Sequence, residues 1–566
     1  GETQQAFSCL VCALSEAKGM ITFMKAITAN PETIREVFSK RYIIPDFQRP
    51  YSWDNETCEK LWDDITGFYG TGTTIDDKYF LGNIVINPSV RKADAAWEVV
   101  DGQQRLTTLL LLIKALHSNA GTVKALEKCL RIEDPLTSEL TDELRVNSCV
   151  ISEDRENLQM VIMDRIQDIP ECNILKNYKF FCEKIAEWRK FNGQTSEALN
   201  NFILALLDNI VLLPIHCGSE DDALTIFETI NNRGMSLSDA DIFKAKLYHN
   251  TPESGQDKFI TDWNALYNHD WLFRILMHIL RAKAGDSSKE TGMRAYFTKT
   301  DSPLKNYSEI MRSLKIIDTI QYKWYGSDEI FSLWCIMDTY PNYYWNFPLF
   351  VFLHKYGLFD ESAEEFILPD KYMRQFITLL EETVKYFFIK GVVYNSVNAV
   401  RDTVYKVCVD IEKEKDYLSD YQTNIYKEDM VSFKDLLGTD RLKRYQRGIV
   451  LLAAYLNPRQ DKKSFAGFMD GKVEIEHILP KKWNNYDGWT DQLWGEKLNT
   501  LGNLVPLSKK LNIAARNEFF DKKKEYYKKS EIQDVKDLLA VKGWKPGDVL
   551  AKQKEKTERL LKYFIR

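Results

Sequence analysis

Most strand-like apolar runs of this chain of 566 residues lie before about residue 240, and this uneven distribution is the strongest constraint on its fold. Such runs cover 79–86 and 210–215, and a shorter one, 97–100, leads directly into an apolar helix predicted from about residue 102 to 116. Between about 240 and 460 the spacing of apolar residues is helical. We therefore expect a predominantly helical α+β fold, with a mixed α/β domain near the N-terminus.

Composition limits the class of protein. Hydrophobic residues make up 44% of the chain, enough for sizeable cores, which excludes a disordered scaffold. The longest uninterrupted run of Val, Leu and Ile residues, 109–113, is too short to span a bilayer, and the apolar segment 7–14 lacks the basic stretch of a signal peptide. We therefore expect a cytoplasmic protein with no membrane partner.

The C-terminal end is basic, although the whole chain is mildly acidic. The net charge is −6, yet residues 509–566 contain 17 Lys and Arg residues against 9 Asp and Glu residues. Such a segment is typical of a contact surface for an anionic polymer, and equally of a solvated, lysine-rich helical face.

A constellation of polar residues surrounds the only histidine in the last 212 residues, His477. It lies in the run Glu474-Ile-Glu476-His477-Ile-Leu-Pro480, which is followed by Leu501-Gly-Asn503-Leu-Val-Pro506 and then by Asn512. Phosphodiester hydrolysis needs a base that deprotonates water and a Lewis acid that stabilises the leaving oxygen. An imidazole supplies the base, while a carboxylate and an amide oxygen can hold the metal. The plain structural alternative is that Glu476 and His477 end a strand at a surface turn.

This pattern resembles that of the HNH (His-Me finger) nucleases, with an acid-His pair on a strand, Asn-Leu after a loop and a last ligand nine residues beyond that Asn. The resemblance implies a ββα-metal domain in which His477 is the catalytic general base and Asn503 holds the loop that orients the imidazole. It also implies that Glu476 and Asn512 are the metal ligands. Many members have histidine as the last ligand and a cysteine pair, whereas no cysteine follows Cys408 here. An oxygen-rich site favours Mg²⁺ or Mn²⁺ over zinc.

Three polar motifs lie in the first half of the chain, namely Gln48-Arg49-Pro-Tyr51-Ser-Trp53, Asp101-Gly102-Gln103-Gln104-Arg105 and Asn231-Asn232-Arg233-Gly234. In the second motif, Asp101 as an N-cap and Gln104 three residues later come close to a capping box, which is a purely structural explanation. It leaves Gly102, Gln103 and Arg105 unexplained. A glycine at a helix start opens backbone N–H groups to a phosphate, and an arginine can bind that phosphate through two hydrogen bonds.

Together these motifs resemble the GmrS-type domain, which is similar to the ParB/sulfiredoxin-like nucleotide-hydrolysing fold. With the HNH pattern, the whole chain resembles the fused GmrSD family of type IV, modification-dependent restriction endonucleases. The resemblance implies that a nucleoside triphosphate is bound by these residues: Asp101, Gly102, Gln103, Gln104, Arg105, Gln48, Arg49, Asn232 and Arg233.

The sequence and the resemblance together predict four segments. Residues 1–24 form a flexible tail or a non-native leader, and residues 25–250 the ParB/sulfiredoxin-like nucleotide-binding domain. Residues 251–440 form a helical linker or sensor region. Residues 441–566 form the HNH nuclease domain with a basic helical tail.

The implied function is phage defence by metal-dependent cleavage of modified double-stranded DNA, regulated by binding and hydrolysis of the nucleoside triphosphate. Glucosylated and hydroxymethylated cytosine are the expected modifications, and Arg516, Lys509 and Lys510 are the predicted DNA contacts. Because one HNH site cuts one strand at a time, a homodimer would supply the second cut.

Two alternatives remain open at this point. The chain could be a nucleotide-regulated DNA-binding protein with a degenerate nuclease site, or a nuclease that senses a backbone modification or acts on RNA. Aromatic candidates for reading a modified base are Tyr51, Trp53 and the cluster 340–347, for which burial in the core is the favoured interpretation.

Overall fold

The computed structural model of the chain describes residues 28–45, 48–70, 74, 76–89, 96–148, 152–192, 195–217, 238–288, 292–299, 302–396 and 398–565. The chain divides into two compact units, residues 1–260 and residues 261–566. The predicted tail 1–24 lies outside the described residues.

The described helices and strands up to residue 264 are β1 (Thr28–Ala29), β2 (Glu32–Thr33), α1 (Ile34–Val37), β3 (Tyr42–Ile44), α2 (Asn55–Gly70), β4 (Tyr79–Pro88), β5 (Trp97–Asp101), α3 (Gln103–Ala120), α4 (Lys124–Leu130), β6 (Arg131–Glu133), β7 (Leu140–Leu144), β8 (Val146–Ser148), α5 (Ser152–Ile162), α6 (Asn173–Asn192), α7 (Ser196–Asn209), β9 (Ile210–His216), α8 (Asp239–Asn250) and α9 (Gln256–Asn264). The strands predicted at 79–86, 97–100 and 210–215 and the helix that follows the second of them are thereby confirmed.

A seven-stranded mixed sheet organises the first unit. Its strand order is β1-β9-β4-β5-β3-β8, and β2 also pairs with β9. β4 runs parallel to β9 and antiparallel to β5, with Val85 opposite Asp101 where β5 ends. The end of β5 and the start of α3 therefore meet beside a central strand of the sheet.

Helix α3 forms the centre of the hydrophobic core of this unit. Its residues from Leu106 to Leu116 are all buried, so the helix is covered on every side. Helices α4, α6 and α7 contact it. Such burial fixes the position of the first turn of α3, which begins with Gln103, Gln104 and Arg105, the last three residues of the second motif.

The described helices and strands of the second unit are α10 (His269–Lys283), α11 (Met293–Thr298), α12 (Tyr307–Tyr322), α13 (Asp328–Met337), α14 (Asn346–Tyr356), β10 (Leu358–Asp360), β11 (Glu365–Ile367), α15 (Asp370–Tyr394), α16 (Asn398–Glu412), α17 (Leu418–Thr423), α18 (Lys427–Leu437), α19 (Gln446–Tyr455), α20 (Lys462–Met469), β12 (Val473–His477), α21 (Asp491–Lys497), β13 (Leu504–Ser508), α22 (Lys509–Ala515), α23 (Phe520–Tyr527), α24 (Gln533–Lys536) and α25 (Pro546–Ile565). The predominantly helical α+β class is confirmed.

The middle of the chain is a helical core rich in aromatic residues. Helix α14 contacts α10, α12, α15 and α16. Within the cluster 340–347, Tyr340, Trp345 and Phe347 are buried, while Tyr343 is 40% exposed. In the first unit the Tyr51 hydroxyl is hydrogen-bonded to Thr108 and Asn177. Burial in the core therefore accounts for most of these aromatic residues.

Candidate functional site

A β-hairpin followed by a helix holds the C-terminal constellation. β12 and β13 pair antiparallel, with His477 opposite Leu504. α22 begins directly after β13 and packs against both strands. Because side chains alternate along a strand, Glu474 and Glu476 lie on one face of the hairpin. Strand, strand and helix occur in the order that a ββα domain requires.

Asn503 joins the two turns that flank the hairpin. Its side chain is fully buried, and its Oδ1 accepts hydrogen bonds from the backbone N–H of Leu479 (2.7 Å) and from Trp544 Nε1 (3.0 Å). Its Nδ2 donates to the carbonyl of Leu498 (2.8 Å). Asn503 thereby holds the chain just after His477, the position that its predicted loop-holding role requires.

Helix α25 supports the same turn from the outside. The N–H of Gly502 donates to Gln553 Oε1 (2.7 Å), and Lys556 Nζ donates to the carbonyl of Leu504 (2.6 Å). A Cβ on Gly502 would lie 2.1 Å from the carbonyl oxygen of Val549, so only glycine allows this approach. These partners are 51 and 52 residues apart in sequence, which is why no local pattern predicts them.

The surroundings of His477 keep its imidazole neutral and orient the ring. Its Nε2 lies 3.0 Å from Asn499 Oδ1, and since an amide oxygen only accepts, Nε2 carries the hydrogen and Nδ1 the lone pair. Burial lowers the pKa of His477 to about 4, with smaller contributions from the charges of Lys481 and Lys523. The imidazole is therefore uncharged at neutral pH.

Glu476 forms a buried ion pair that the sequence did not predict. Lys523 Nζ lies 2.7 Å from Glu476 Oε1, and the Tyr527 hydroxyl donates to the same oxygen (2.8 Å). Lys523 Nζ also donates to the backbone carbonyl of His477 (2.6 Å), and Lys523 is only 1% exposed. Burial lowers the pKa of Lys523, and Glu476 partly offsets this shift. The only sequence signal was the spacing of Lys523 and Tyr527, four residues apart on one helix face.

A cavity of about 220 Å³ opens over this hairpin. It is lined by Ile475, Glu476, His477, Lys481, Asn512, Ile513, Arg516, Asn517 and Lys523. The structure thus brings together four residues that were assigned to one site from the sequence: Glu476, His477, Asn512 and Arg516. Positive charges outnumber negative ones in the lining, so the cavity attracts an anion such as a phosphate.

The three predicted DNA contacts differ in position. Arg516 is exposed, caps the end of α22 and lines the cavity. Lys509 and Lys510 are exposed in the first turn of α22 and lie outside the cavity lining. Lys509 Nζ lies 4.0 Å from Glu474 Oε1. Only Arg516 is therefore placed beside His477.

The donor set of the cavity fits a hard divalent cation under one condition. Asn512 Nδ2 donates a hydrogen bond to Glu474 Oε2 (2.5 Å), so Asn512 Oδ1 is the atom that can bind a metal ion. Glu476 Oε1 already accepts two hydrogen bonds, which leaves Oε2. Two oxygen ligands suffice for Mg²⁺ or Mn²⁺ when water and a substrate phosphate complete the shell. Because Lys523 opposes a second cation, the fit depends on that phosphate.

The junction between β5 and α3 differs from the predicted capping box. The N-cap of α3 is Gly102 and not Asp101, which is the last residue of β5, and no side chain caps the helix. Gly102 is in the left-handed region (φ 92°, ψ 7°), and a Cβ there would lie 2.5 Å from Ile84 Cγ2. Glycine is needed here for both conformation and space. The capping-box interpretation was therefore wrong.

Gln104 and Gln103 hold the loop that follows β3. Gln104 Oε1 accepts from the backbone N–H of Ser52 (2.9 Å), and its Nε2 donates to the carbonyl of Pro50 (3.0 Å). Gln103 Nε2 donates to Gln48 Oε1 (3.2 Å), and both residues are buried. The first and second motifs are therefore in contact, and their glutamines are bound to each other and to the backbone.

Arg105 and Arg49 have different surroundings. Arg105 Nη1 donates to the carbonyl of Asn83 (2.7 Å), and its guanidinium lies against Gly82, where a Cβ would be 3.0 Å from Cζ. Burial lowers the pKa of Arg105, and Asp101 opposes this shift. Arg49 lines a cavity of about 10 Å³ with Gln103 and Gln104, space for about one water. The predicted residues Asn232 and Arg233 lie outside the described residues.

Comparison with known proteins covers both candidate sites. Residues 34–248 match the family model of the N-terminal domain of GmrSD restriction endonucleases, and residues 426–558 match the model of their C-terminal domain. An uncharacterised protein of Methanocaldococcus jannaschii is 22% identical over 241 residues, which are 38% of this chain and 41% of that protein. The chain thus spans less than half the length of this relative. Within the described ranges, every helix is too short or too polar to cross a membrane.

Proposed function

Because this chain belongs to the GmrSD family of type IV restriction endonucleases, we propose that it hydrolyses phosphodiester bonds of modified phage DNA in the cavity at His477. The observation that carries this proposal is the neutral, buried imidazole beside Glu476, Asn512 and two exposed cations in one cavity. Glucosylated and hydroxymethylated cytosine are the proposed modifications.

The residues of the cavity divide the chemistry between them. Lys481 and Arg516 attract the scissile phosphate by charge. His477 Nδ1 takes the proton from the attacking water, while Asn499 fixes the orientation of the ring through Nε2. Glu476 Oε2 and Asn512 Oδ1 would hold Mg²⁺ or Mn²⁺. Such an ion, when bound, stabilises the charge that develops on the leaving oxygen.

In the first unit, the start of α3 is the proposed binding site for a nucleoside triphosphate that regulates cleavage. Gly102 leaves the first-turn N–H groups without a capping side chain, and the helix dipole adds a partial positive charge there. Arg49 lies near this turn. The small cavity at Gln103 would widen when the nucleotide binds.

A cleavage assay on the full chain tests the proposed function. The DNA substrates are glucosylated, hydroxymethylated and unmodified duplexes, each with Mg²⁺ or Mn²⁺ and with or without nucleoside triphosphates. We expect cutting of modified DNA only, which EDTA and His477→Ala abolish. Lys481→Ala should reduce cutting, while Lys482→Ala, a matched control outside the cavity lining, should not. Equal cutting of unmodified DNA would refute the modification dependence, and a His477→Ala chain that still cuts would refute the site.

A second candidate function is nucleotide-regulated DNA binding without cleavage. The ion pair between Lys523 and Glu476 favours it, because a protonated lysine already occupies one oxygen of the only carboxylate in the cavity lining. Metal-dependent DNA binding with no cutting of any modified, backbone-modified or RNA substrate would support this candidate.

A further inference from the structure

Lys523 is the best-anchored cation of the cavity. Its Nζ has two partners, Glu476 Oε1 (2.7 Å) and the backbone carbonyl of His477 (2.6 Å). Lys481 and Arg516 are exposed, whereas Lys523 is 1% exposed. Lys523 therefore cannot turn into solvent, and its charge stays beside the carboxylate.

We propose that Lys523 keeps the affinity of Glu476 for a divalent cation low until a DNA phosphate enters the cavity, so that metal and DNA bind together and not in sequence. This inference rests on the proposed function of the same site. It makes Lys523 a positioning residue, since it acts through Glu476 and the main chain of His477.

The charges of the cavity lining favour a phosphate over an isolated divalent cation. Of the groups that line the cavity, Glu476 alone carries a negative charge, whereas Lys481, Arg516 and Lys523 carry positive ones. A divalent cation that binds Glu476 must approach a site whose carboxylate is already neutralised. A phosphate, by contrast, is attracted to the same site and brings negative charge and oxygen ligands with it.

Because a bound DNA phosphate raises the affinity of the site for the metal ion, thermodynamic linkage requires that the metal ion raise the affinity for DNA by the same factor. A cavity of this kind holds little metal in the absence of DNA. The complete metal site therefore forms only when DNA is bound, which restrains cleavage without a conformational change of the protein.

The test measures Mn²⁺ affinity by electron paramagnetic resonance on the full chain carrying His477→Ala, which prevents cutting. Titrations are made without DNA and with a saturating glucosylated duplex. We expect at least a tenfold gain in Mn²⁺ affinity when DNA is present. Adding Lys523→Met should raise the DNA-free affinity at least tenfold and shrink the gain on adding DNA.

A matched control removes the same charge one residue away. Lys522 is exposed and pairs with Glu518, so Lys522→Met should leave the DNA-free Mn²⁺ affinity within about twofold of the parent, as expected for a screened surface charge. Lys523→Arg, which retains the charge, should keep the affinity low. If Lys523→Met does not fold, Lys523→Gln removes the charge and keeps a hydrogen-bond donor.

The outcomes separate this inference from the proposed function. Equal Mn²⁺ affinity with and without DNA in the parent chain, or an unchanged or weaker DNA-free affinity in the charge-removing variants, would overturn the role of Lys523. Glu476→Gln should weaken Mn²⁺ binding in both states. If it has no effect, Glu476 is not the ligand, and both the proposed metal site and the inference fail, whatever Lys523 does.

Discussion

Replacing Asn503 by alanine should destabilise the β12–β13 hairpin by about 3 kcal/mol. Alanine removes the side-chain partner that lies within 3.0 Å of three groups: the N–H of Leu479, the indole N–H of Trp544 and the carbonyl of Leu498. All three lie around a fully buried side chain, and each buried polar group without a partner costs about 1–3 kcal/mol. Water that enters the vacated space recovers part of this cost, so the lower end of the range applies.

The assay is hydrogen exchange read by mass spectrometry on peptides that cover 473–508, combined with urea unfolding of the full chain. Asn503→Ala should speed exchange in these peptides, most strongly at the turn held by Asn503, and lower the urea midpoint. Asn484→Ala is the matched control, because Asn484 is exposed in the loop between the two strands. Cleavage should fall together with protection. If cleavage is lost while exchange and the urea midpoint stay unchanged, Asn503 acts on the chemistry and the loop-holding argument is wrong.

Three further predictions concern other parts of the chain. Gly102→Ala should destabilise the first unit by more than about 2 kcal/mol, from left-handed strain and a steric clash, whereas Gly67→Ala, in a helix with open space, should stabilise it by up to about 1 kcal/mol in urea unfolding. Asn499→Ala should lower the cleavage rate about 10- to 100-fold with an unchanged unfolding midpoint, because His477 loses the partner that orients its ring. Burial lowers the pKa of His354 to about 4 from 6.5, so the folded state binds a proton less tightly than the unfolded state. The contribution of His354 to the free energy of unfolding is therefore fully present above pH 6.5, and about 3 kcal/mol of it is lost as the pH falls from 6.5 through 4. In urea unfolding between pH 4 and 7, His354→Gln should make the free energy of unfolding depend less steeply on pH.

The sequence predicted the elements that local patterns control. The apolar run at 79–86 became β4, and the junction after β5 started a long helix, because period and turn chemistry decide such elements within a few residues. The capping-box prediction was wrong because contacts between residues far apart in sequence decide this junction. Gln104 has the right spacing for a cap, but its side chain is held by Ser52 and Pro50, and no local rule anticipates a partner that far along the chain.

In the candidate site, too, some residues could be predicted from sequence spacing, while the roles of others depend on tertiary packing. The spacing of His477, Asn503 and Asn512 carried the resemblance to the HNH nucleases, and that resemblance implied a ββα domain; in the structure a hairpin and a helix bring the first and last of these residues to one cavity. Lys523 escaped prediction because its role depends on α23 packing behind β12, and a lysine in a basic segment is expected to be exposed. Asn499 escaped because it lies in a turn whose position is set by Asn503.

The basic C-terminal segment has two uses, and its net charge overstates its value for binding DNA. Lys523 and Lys556 are buried, and Arg559 forms an ion pair with Asp534 and donates to the carbonyl of Ala453. The charged groups of these residues bind protein partners that hold the hairpin and its supporting helix, so they add little to an exposed DNA-binding surface. In the proposed function, electrostatic attraction of DNA therefore falls to the exposed cations, of which Arg516 and Lys481 line the cavity; Lys481 lies outside the segment. The excess of lysine that first suggested a nucleic-acid surface is therefore in part the means by which a small two-stranded hairpin is kept rigid around His477.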